Sequence, residues 1–311
     1  MLKYFIKRIL SVIPVMIGVI ILVFVMRVVM PGDPITELLP ATASQEQIDA
    51  LRNKLGLDQP LIVQFGKYVW GIVSRGDLGT SYKTKLPVMD ELMRRFPRTI
   101  SIGLLSILVS QIFGQPLGII SAYKQYTWVD DLIIFFTIAG ASIPSFWLAL
   151  MLIRMFSVRL GWLPAIYTVG SVKSWILPVF VNSLNSMAAT ARGTRTCMLE
   201  NIRQDFVKTA RAKGQNEFIV IVKHAYGSAL VPVVGGLGNA VAMMLGGSLI
   251  VETVFGVPGI GKYIADAVTA RDFPVIQGGI VVLALAYSII NILVDFFYTV
   301  VDPRLKTTLA K

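Results

Sequence analysis

Long uncharged stretches alternate along this chain with short polar ones, and the alternation dictates how it is organised. Ile9 to Met26 is eighteen residues without a charge, preceded by Lys3, Lys7 and Arg8. That is long enough for a membrane-crossing helix and too long for the 7–15-residue apolar core of a signal peptide. The helix is expected to continue to about Met30 and to stop at Met30-Pro31-Gly32-Asp33-Pro34. Further spans are predicted at Ser101–Ala122, Leu132–Ile153, Trp175–Ala191, Leu230–Val251 and Val275–Tyr298. The third is charge-free over twenty-two residues and is expected to bend at Pro144. The fourth is the most polar, interrupted by Asn182, Ser183, Asn185, Ser186 and Thr190. Such a helix must face protein or water rather than lipid, so Asn182, Asn185 and Ser186 are candidates for lining a translocation path, with interhelical hydrogen bonding as the alternative.

Between these spans the sequence gives shorter signals. In the 31–98 insertion, Ser44 and Gln47 form a capping box for a helix through Leu55 that Gly56 ends. Leu61 to Ile72 reads as a second amphipathic piece, followed by a glycine turn at Gly76-Asp77-Leu78-Gly79. Gly103, Gly114 and Gly118 are expected to let neighbouring helices approach the second span closely. From Leu199 the apolar residues Ile202, Phe206 and Ala210 recur at three or four positions, predicting one helical stripe. Gly214 then supplies a corner residue able to adopt a left-handed conformation, and Phe218 to Val222 resumes an apolar run.

Composition and charge fix the setting. Of 311 residues 55% are hydrophobic and 15% charged, against about 25% charged in a soluble domain. The net charge of +11 is concentrated in the pieces this topology places inside. Residues 3–8 carry +3, residues 123–131 carry −1, residues 192–224 carry +4 and residues 302–311 carry +2. This is the positive-inside pattern, with both termini cytoplasmic, rather than a nucleic-acid footprint. Arg94, Arg95 and Arg98 oppose it, but long loops translocate largely regardless of charge.

Catalytic chemistry has little to stand on. The lone cysteine, Cys197, excludes a disulfide framework, and the lone histidine, His224, cannot build a metal site by itself. Gly256-Val257-Pro258-Gly259-Ile260-Gly261-Lys262 fits seven positions of a phosphate loop, but Tyr263 stands where Ser or Thr would hold magnesium, and Pro258 lacks an N–H. It reads as a rigid turn. Asp295, one turn after Asn291, is the one acid within the predicted spans. A membrane enzyme would place paired ionisable residues at one depth, and a channel would show a filter-like loop; neither pattern is present.

The string Thr209-Ala210-Arg211-Ala212-Lys213-Gly214 resembles the cytoplasmic loop of binding-protein-dependent ABC importer permeases, in the form typical of the peptide/nickel branch. Counted back from Gly214, Lys208, Thr209 and Ala210 occupy the places of the general Glu-Ala-Ala pattern, and His224 and Gly227 stand where Ile and Pro would. Pro31-Gly32-Asp33-Pro34, Leu55-Gly56-Leu57-Asp58-Gln59-Pro60, Gly76-Asp77-Leu78-Gly79, Glu252, Phe255, Pro258-Gly259-Ile260-Gly261, Arg271-Asp272-Phe273-Pro274 and Asp302-Pro303-Arg304 are similar to the family's signatures in the family's order. The resemblance implies an all-α membrane protein of the type I importer kind. It divides into an N-terminal helix (1–30), an extracytoplasmic insertion (31–98), a five-helix core (99–301) with a coupling loop at about 192–229, and a cytoplasmic tail (302–311).

The resemblance further implies that Asp205, Lys208, Thr209, Ala210, Arg211, Ala212, Lys213, Gly214 and Gln215 form the contact with an ATPase, the small residues allowing close docking. No cofactor would sit on this chain, ATP and magnesium belonging to partner ATPase subunits. The implied partners are a homologous second permease, two ATPases, an extracytoplasmic substrate-binding protein and a peptide, in the lipid bilayer of the bacterial plasma membrane. A nickel chelate is the alternative cargo.

Overall fold

In this computed structural model residues 2–29, 35, 39 and 42–301 are described, some of them by backbone alone. The Pro31–Pro34 and Asp302–Arg304 signatures and the 302–311 tail lie outside them. The described chain is helical throughout, its one strand-like feature being an isolated bridge between Thr80 and Pro87. We number the α-helices α1 (Leu2–Val29), α2 (Gln45–Leu55), α3 (Leu61–Arg75), α4 (Val88–Tyr123), α5 (Trp128–Ser142), α6 (Ser145–Leu152) and α7 (Lys173–Ile202). They continue as α8 (Asp205–Ala212), α9 (Glu217–Ile219), α10 (Tyr226–Gly235), α11 (Leu237–Val254), α12 (Ile260–Thr269) and α13 (Phe273–Val301), with π-helical turns at Ile153–Arg159 and Val220–Ala225.

Among the described residues three helices are long and apolar enough to cross a membrane: α1 from Ile6, α4, and α13 as far as Phe296. The predicted third span is not one bent helix. α5 and the segment Ser145–Arg159 meet at 102°, a broken span or a re-entrant loop. The cause is local: a proline disfavours helical backbone in the residue before it, and Ile143 is extended (φ −76°, ψ 125°). The fourth span lies within α7, a 30-residue helix too polar to pass the same test. The fifth is divided at Gly236 between α10 and α11.

Two compact units form. One comprises Ile6–Thr99 and Pro258–Ser288. Its core is Val23, Leu78, Val88, Leu92, Ile260, Ile264 and Val275, each at most 5% exposed. Within it the capping box forms as predicted: Gln47 N donates to Ser44 Oγ, and Ser44 N donates to Gln47 Oε1. Gly56 closes α2 at φ 65°, a conformation that costs glycine nothing. Asp272, 3% exposed, accepts from Ser81 Oγ (2.6 Å), Tyr82 N (3.0 Å) and Lys83 N (3.2 Å), pinning the turn before α4. Arg27 donates to Gln64 on α3 and stacks on the Phe24 ring.

The other unit comprises Met1–Phe5, Ile100–Val257 and Ile289–Lys311. Here α4 and α7 pack closely because of two glycines. A Cβ on Gly114 would lie 2.8 Å from the Met187 carbonyl, and one on Gly118 would lie 2.5 Å from that of Ala191. Gly103, predicted to act similarly, has open space where its Cβ would be. Serine and asparagine side chains stitch the same pair: Asn182 donates to Ser106 Oγ at 3.2 Å, Ser106 to the Val179 carbonyl at 3.3 Å and Ser186 to Ser110 Oγ at 3.4 Å.

Candidate functional site

The basic hairpin that follows α7 is built by three backbone events. α7 ends at Ile202, Gln204 is extended (φ −72°, ψ 152°), and α8 starts at Asp205. The stripe of Leu199, Ile202, Phe206 and Ala210 is therefore not on one helix. Restarting the helix resets its phase: Val207 and Ala210 point inward, while Phe206 is 44% exposed. Gly214 then turns the chain at φ 72°, as predicted, with its N–H donating to the Arg211 carbonyl at 2.9 Å. Asn216 caps α9 by accepting from Phe218 N.

Behind this hairpin lies a small apolar core. Val207 and Ala210 pack with Ala122, Met198, Val220, Ile221, Ala225 and Ala229, all at most 6% exposed. Two polar contacts close the corner. Arg211 makes a forked pair with Glu217, Nη2 to Oε1 at 2.8 Å and Nε to both oxygens at 3.2 Å. The guanidinium holds the Glu217 carboxyl below its usual range, and the carboxylate raises Arg211 in turn. His224 donates from Nε2 to Gln215 Oε1 at 2.7 Å. The Lys208–Asp205 pair, 3.0 Å apart, is solvent-exposed on both sides and contributes little.

Of the nine coupling-loop residues only Ala210 is buried. Asp205, Lys208, Thr209, Arg211, Ala212, Lys213, Gly214 and Gln215 are exposed on one hairpin, leaving Thr209 and Ala212 as the small outward residues. Phe206, Phe218, Ile219 and Val222 add exposed apolar surface among the cations. An apolar patch ringed by positive charge fits a protein partner better than water.

The base of the hairpin rests on an ion pair that sequence reasoning did not single out. Asp130, in the first turn of α5, is 2% exposed and accepts from Arg195 Nε (2.9 Å) and Nη2 (2.8 Å) on α7. Ser121 Oγ on α4 and Tyr126 N also donate to it. Above all through the Arg195 bonds, its carboxyl is held down at about 2. One carboxylate thereby ties α4, α5 and α7 beside the hairpin. The partners are 65 residues apart, and Asp130 reads in the sequence as one of two acids in a polar turn.

The path candidates separate. Asn182 and Ser186 are spent on the α4–α7 hydrogen bonds, whereas Asn185 is exposed. Ser186 also borders a cavity of about 200 Å³ with Gln111, Thr190, Thr194, Cys197 and Gly236. Its polar wall continues through Gln111 Nε2 to Thr190 Oγ1 (3.2 Å) and Gln115 Nε2 to Gln111 Oε1 (2.8 Å). Tyr226 Oη donates to Gln115. Among the described residues no formal charge lines this cavity. The phosphate-loop decoy resolves into a turn and the start of α12, where Lys262 Nζ pairs with Asp266 at 2.7 Å.

Residues 114–307 match the family model described as "Binding-protein-dependent transport system inner membrane component", and residues 1–103 match its N-terminal companion. The chain is 40% identical to the dipeptide transport system permease protein DppB of Alkalihalophilus pseudofirmus, covering 98% of this chain and 100% of that one. It is also 40% identical to the glutathione transport system permease protein GsiC of Escherichia coli K12, covering 98% and 99%. Among solved structures, an inward-facing MetNI methionine ABC transporter shares the fold at TM-score 0.56 and 17% identity, covering 69% of this chain and 97% of that one. The chain belongs to the family of inner-membrane permease components of binding-protein-dependent transport systems.

Proposed function

We propose that this chain carries peptides across the bacterial plasma membrane as one of two homologous permeases, driven by two ATPase subunits and supplied by an extracytoplasmic binding protein. The single observation behind the peptide cargo is similarity over almost the full length to permeases named for dipeptides and for glutathione, itself a peptide. A mainly apolar cavity whose polar groups, among the described residues, are the Gln111 amide and the Ser186, Thr190 and Thr194 hydroxyls suits a cargo recognised by its backbone rather than by one side-chain charge.

The exposed hairpin of Asp205–Gln215 is the handle in this reading. Its apolar patch and cations dock on the ATPase, and its buried Val207 and Ala210 pass the displacement to the helices they pack against. α7 and α10 then move, and the path opens alternately to each side. Asn185 faces the second permease or the aqueous path, because an exposed amide on a spanning helix needs a polar neighbour. ATP and magnesium act on the ATPases. Both termini are cytoplasmic, as the charge bias requires.

The test is peptide uptake into proteoliposomes holding the complete complex. Uptake is expected only with ATP inside and binding protein outside. Accumulation of a nickel chelate but of no di- or tripeptide would replace the cargo; uptake without ATP would replace the mechanism.

A further inference from the structure

The insertion holds a polar cavity that peptide transport leaves unused. It measures about 380 Å³ and is lined by Arg27 from α1, Lys54 from α2, Gln59 and residues of α3 including Lys67 and Tyr68, with Asp77 beside them. Three cations face one carboxylate. Lys54 and Lys67 are exposed at its rim, and Asp77 Oδ1 is occupied by the Gly79 N–H at 2.8 Å. The Tyr68 hydroxyl is buried without a hydrogen-bond partner among the described residues. A buried orphan donor beside surplus positive charge is the chemistry of an oxyanion site.

Where this cavity sits decides whose oxyanion it takes. Counting about 1.5 Å per residue, the twenty residues from Ile9 span a hydrocarbon core of about 30 Å and bring Arg27 to its outer boundary. α3 packs on that last stretch of α1: the Phe24 ring meets Phe65 at 5.2 Å and Tyr68 at 6.5 Å, and Gln64 accepts from Arg27. On its other side α3 exposes Ile62 (77%), Trp70 (67%) and Val73 (73%). On α1 itself Val25, Val28 and Val29 are exposed on a span whose surroundings are lipid. A helix with Trp and aliphatic residues outward and a depth set by the end of a span has the make-up of an interfacial helix.

We propose that α3 lies in the outer-leaflet interface and that Arg27, Lys54 and Lys67 bind the phosphate of an anionic phospholipid there. The lipid's chains run along the exposed faces of α1 and α3, and Tyr68 supplies a neutral donor to the phosphate. The inference rests on the cytoplasmic N-terminus proposed above, which puts residues 31–98 on the outer side of α1.

The purified complete transporter is delipidated and titrated with phosphatidylglycerol, and bound lipid is counted by native mass spectrometry. Each interfacial cation carries about a fivefold effect on anionic-lipid binding, so Lys54→Gln with Lys67→Gln is expected to weaken retention about thirtyfold. The same titration with phosphatidylcholine should show little difference between variant and wild type. Phospholipids brominated near the headgroup should quench the emission that Trp70→Phe removes. Equal phosphatidylglycerol retention by wild type and variant, or an unquenched Trp70, overturns the site. Displacement of the lipid by excess inorganic phosphate, with Trp70 unquenched, makes it a free-oxyanion site and also overturns the proposal. Asp58→Cys in a Cys197→Ser background, labelled by an impermeant maleimide from outside, separates the two levels. External labelling with a failed lipid assay sinks this inference alone, whereas labelling only from the cytosolic side sinks the topology with it.

Discussion

Replacing Asp130 by Asn tests the ion pair beneath the hairpin with almost no change of shape. The wild-type carboxylate accepts four hydrogen bonds, two of them from Arg195, with side-chain exposures of 3% for Asp130 and 23% for Arg195. An amide keeps one acceptor and turns a donor towards a guanidinium. Breaking a fully buried pair costs about 3–5 kcal/mol, and the partial exposure of Arg195 lowers this to about 2–3 kcal/mol. The same bonds hold the carboxyl down from 3.8 to about 2, which corresponds to about 2 kcal/mol at neutral pH. The sign follows from the depressed value. The stabilisation is complete above about pH 5 and is lost as pH falls through 4 towards 2. In detergent, Asp130→Asn should lower the melting temperature of the purified permease by about 4–10 °C and flatten its acid dependence below pH 4. Arg195→Gln should do much the same, and the double variant should be little worse than either single one. A shift under 1 °C, or strictly additive losses, would refute the tie.

Three further outcomes follow from the same geometry. Gly118→Ala pushes a Cβ to 2.5 Å from the Ala191 carbonyl, so it should destabilise the α4–α7 pair by about 1–3 kcal/mol, while Gly103→Ala, with open space, should melt like wild type. Gly214 stands at φ 72° with nothing near its missing Cβ; Gly214→Ala should cost about 1–2 kcal/mol through backbone strain alone, leaving an assembled complex that hydrolyses ATP with reduced peptide uptake. Asp272→Ala strands three donors of the 81–83 turn, costing about 2–3 kcal/mol and speeding limited proteolysis between residues 76 and 87.

How legible this was depended on the range of the interactions. Local chemistry could be read directly: the Ser44–Gln47 box and the left-handed Gly56 and Gly214 are each fixed within about five residues, and the amphipathic helix after Pro60 within its own 15. Pro144 marked a break but not its sharpness, because the angle depends on Ile143 becoming extended. The stripe through Phe206 failed because Gln204, with no proline or glycine to announce it, interrupts the helix and rotates the burial onto Val207. The glycines of α4 looked equivalent in sequence; only the helix packed against each one distinguishes Gly118 from Gly103. Asp130 and Arg195 could not be paired at all without knowing that α5 and α7 are neighbours. The hairpin as a candidate site was visible in its charge and spacing, whereas the inward turn of Ala210 required the fold.

The central claim is that the hairpin of Asp205–Gln215 is the surface a separate motor holds. It is tested by introducing Cys at Thr209 or Gln215, in a Cys197→Ser background, and cross-linking in membranes that contain the complete transporter. Both positions should capture the ATPase subunit, with a yield that changes when ATP is trapped, while a Cys at inward-facing Val207 should not. Cross-links from Thr209 and Gln215 that never include a nucleotide-hydrolysing subunit would contradict the account.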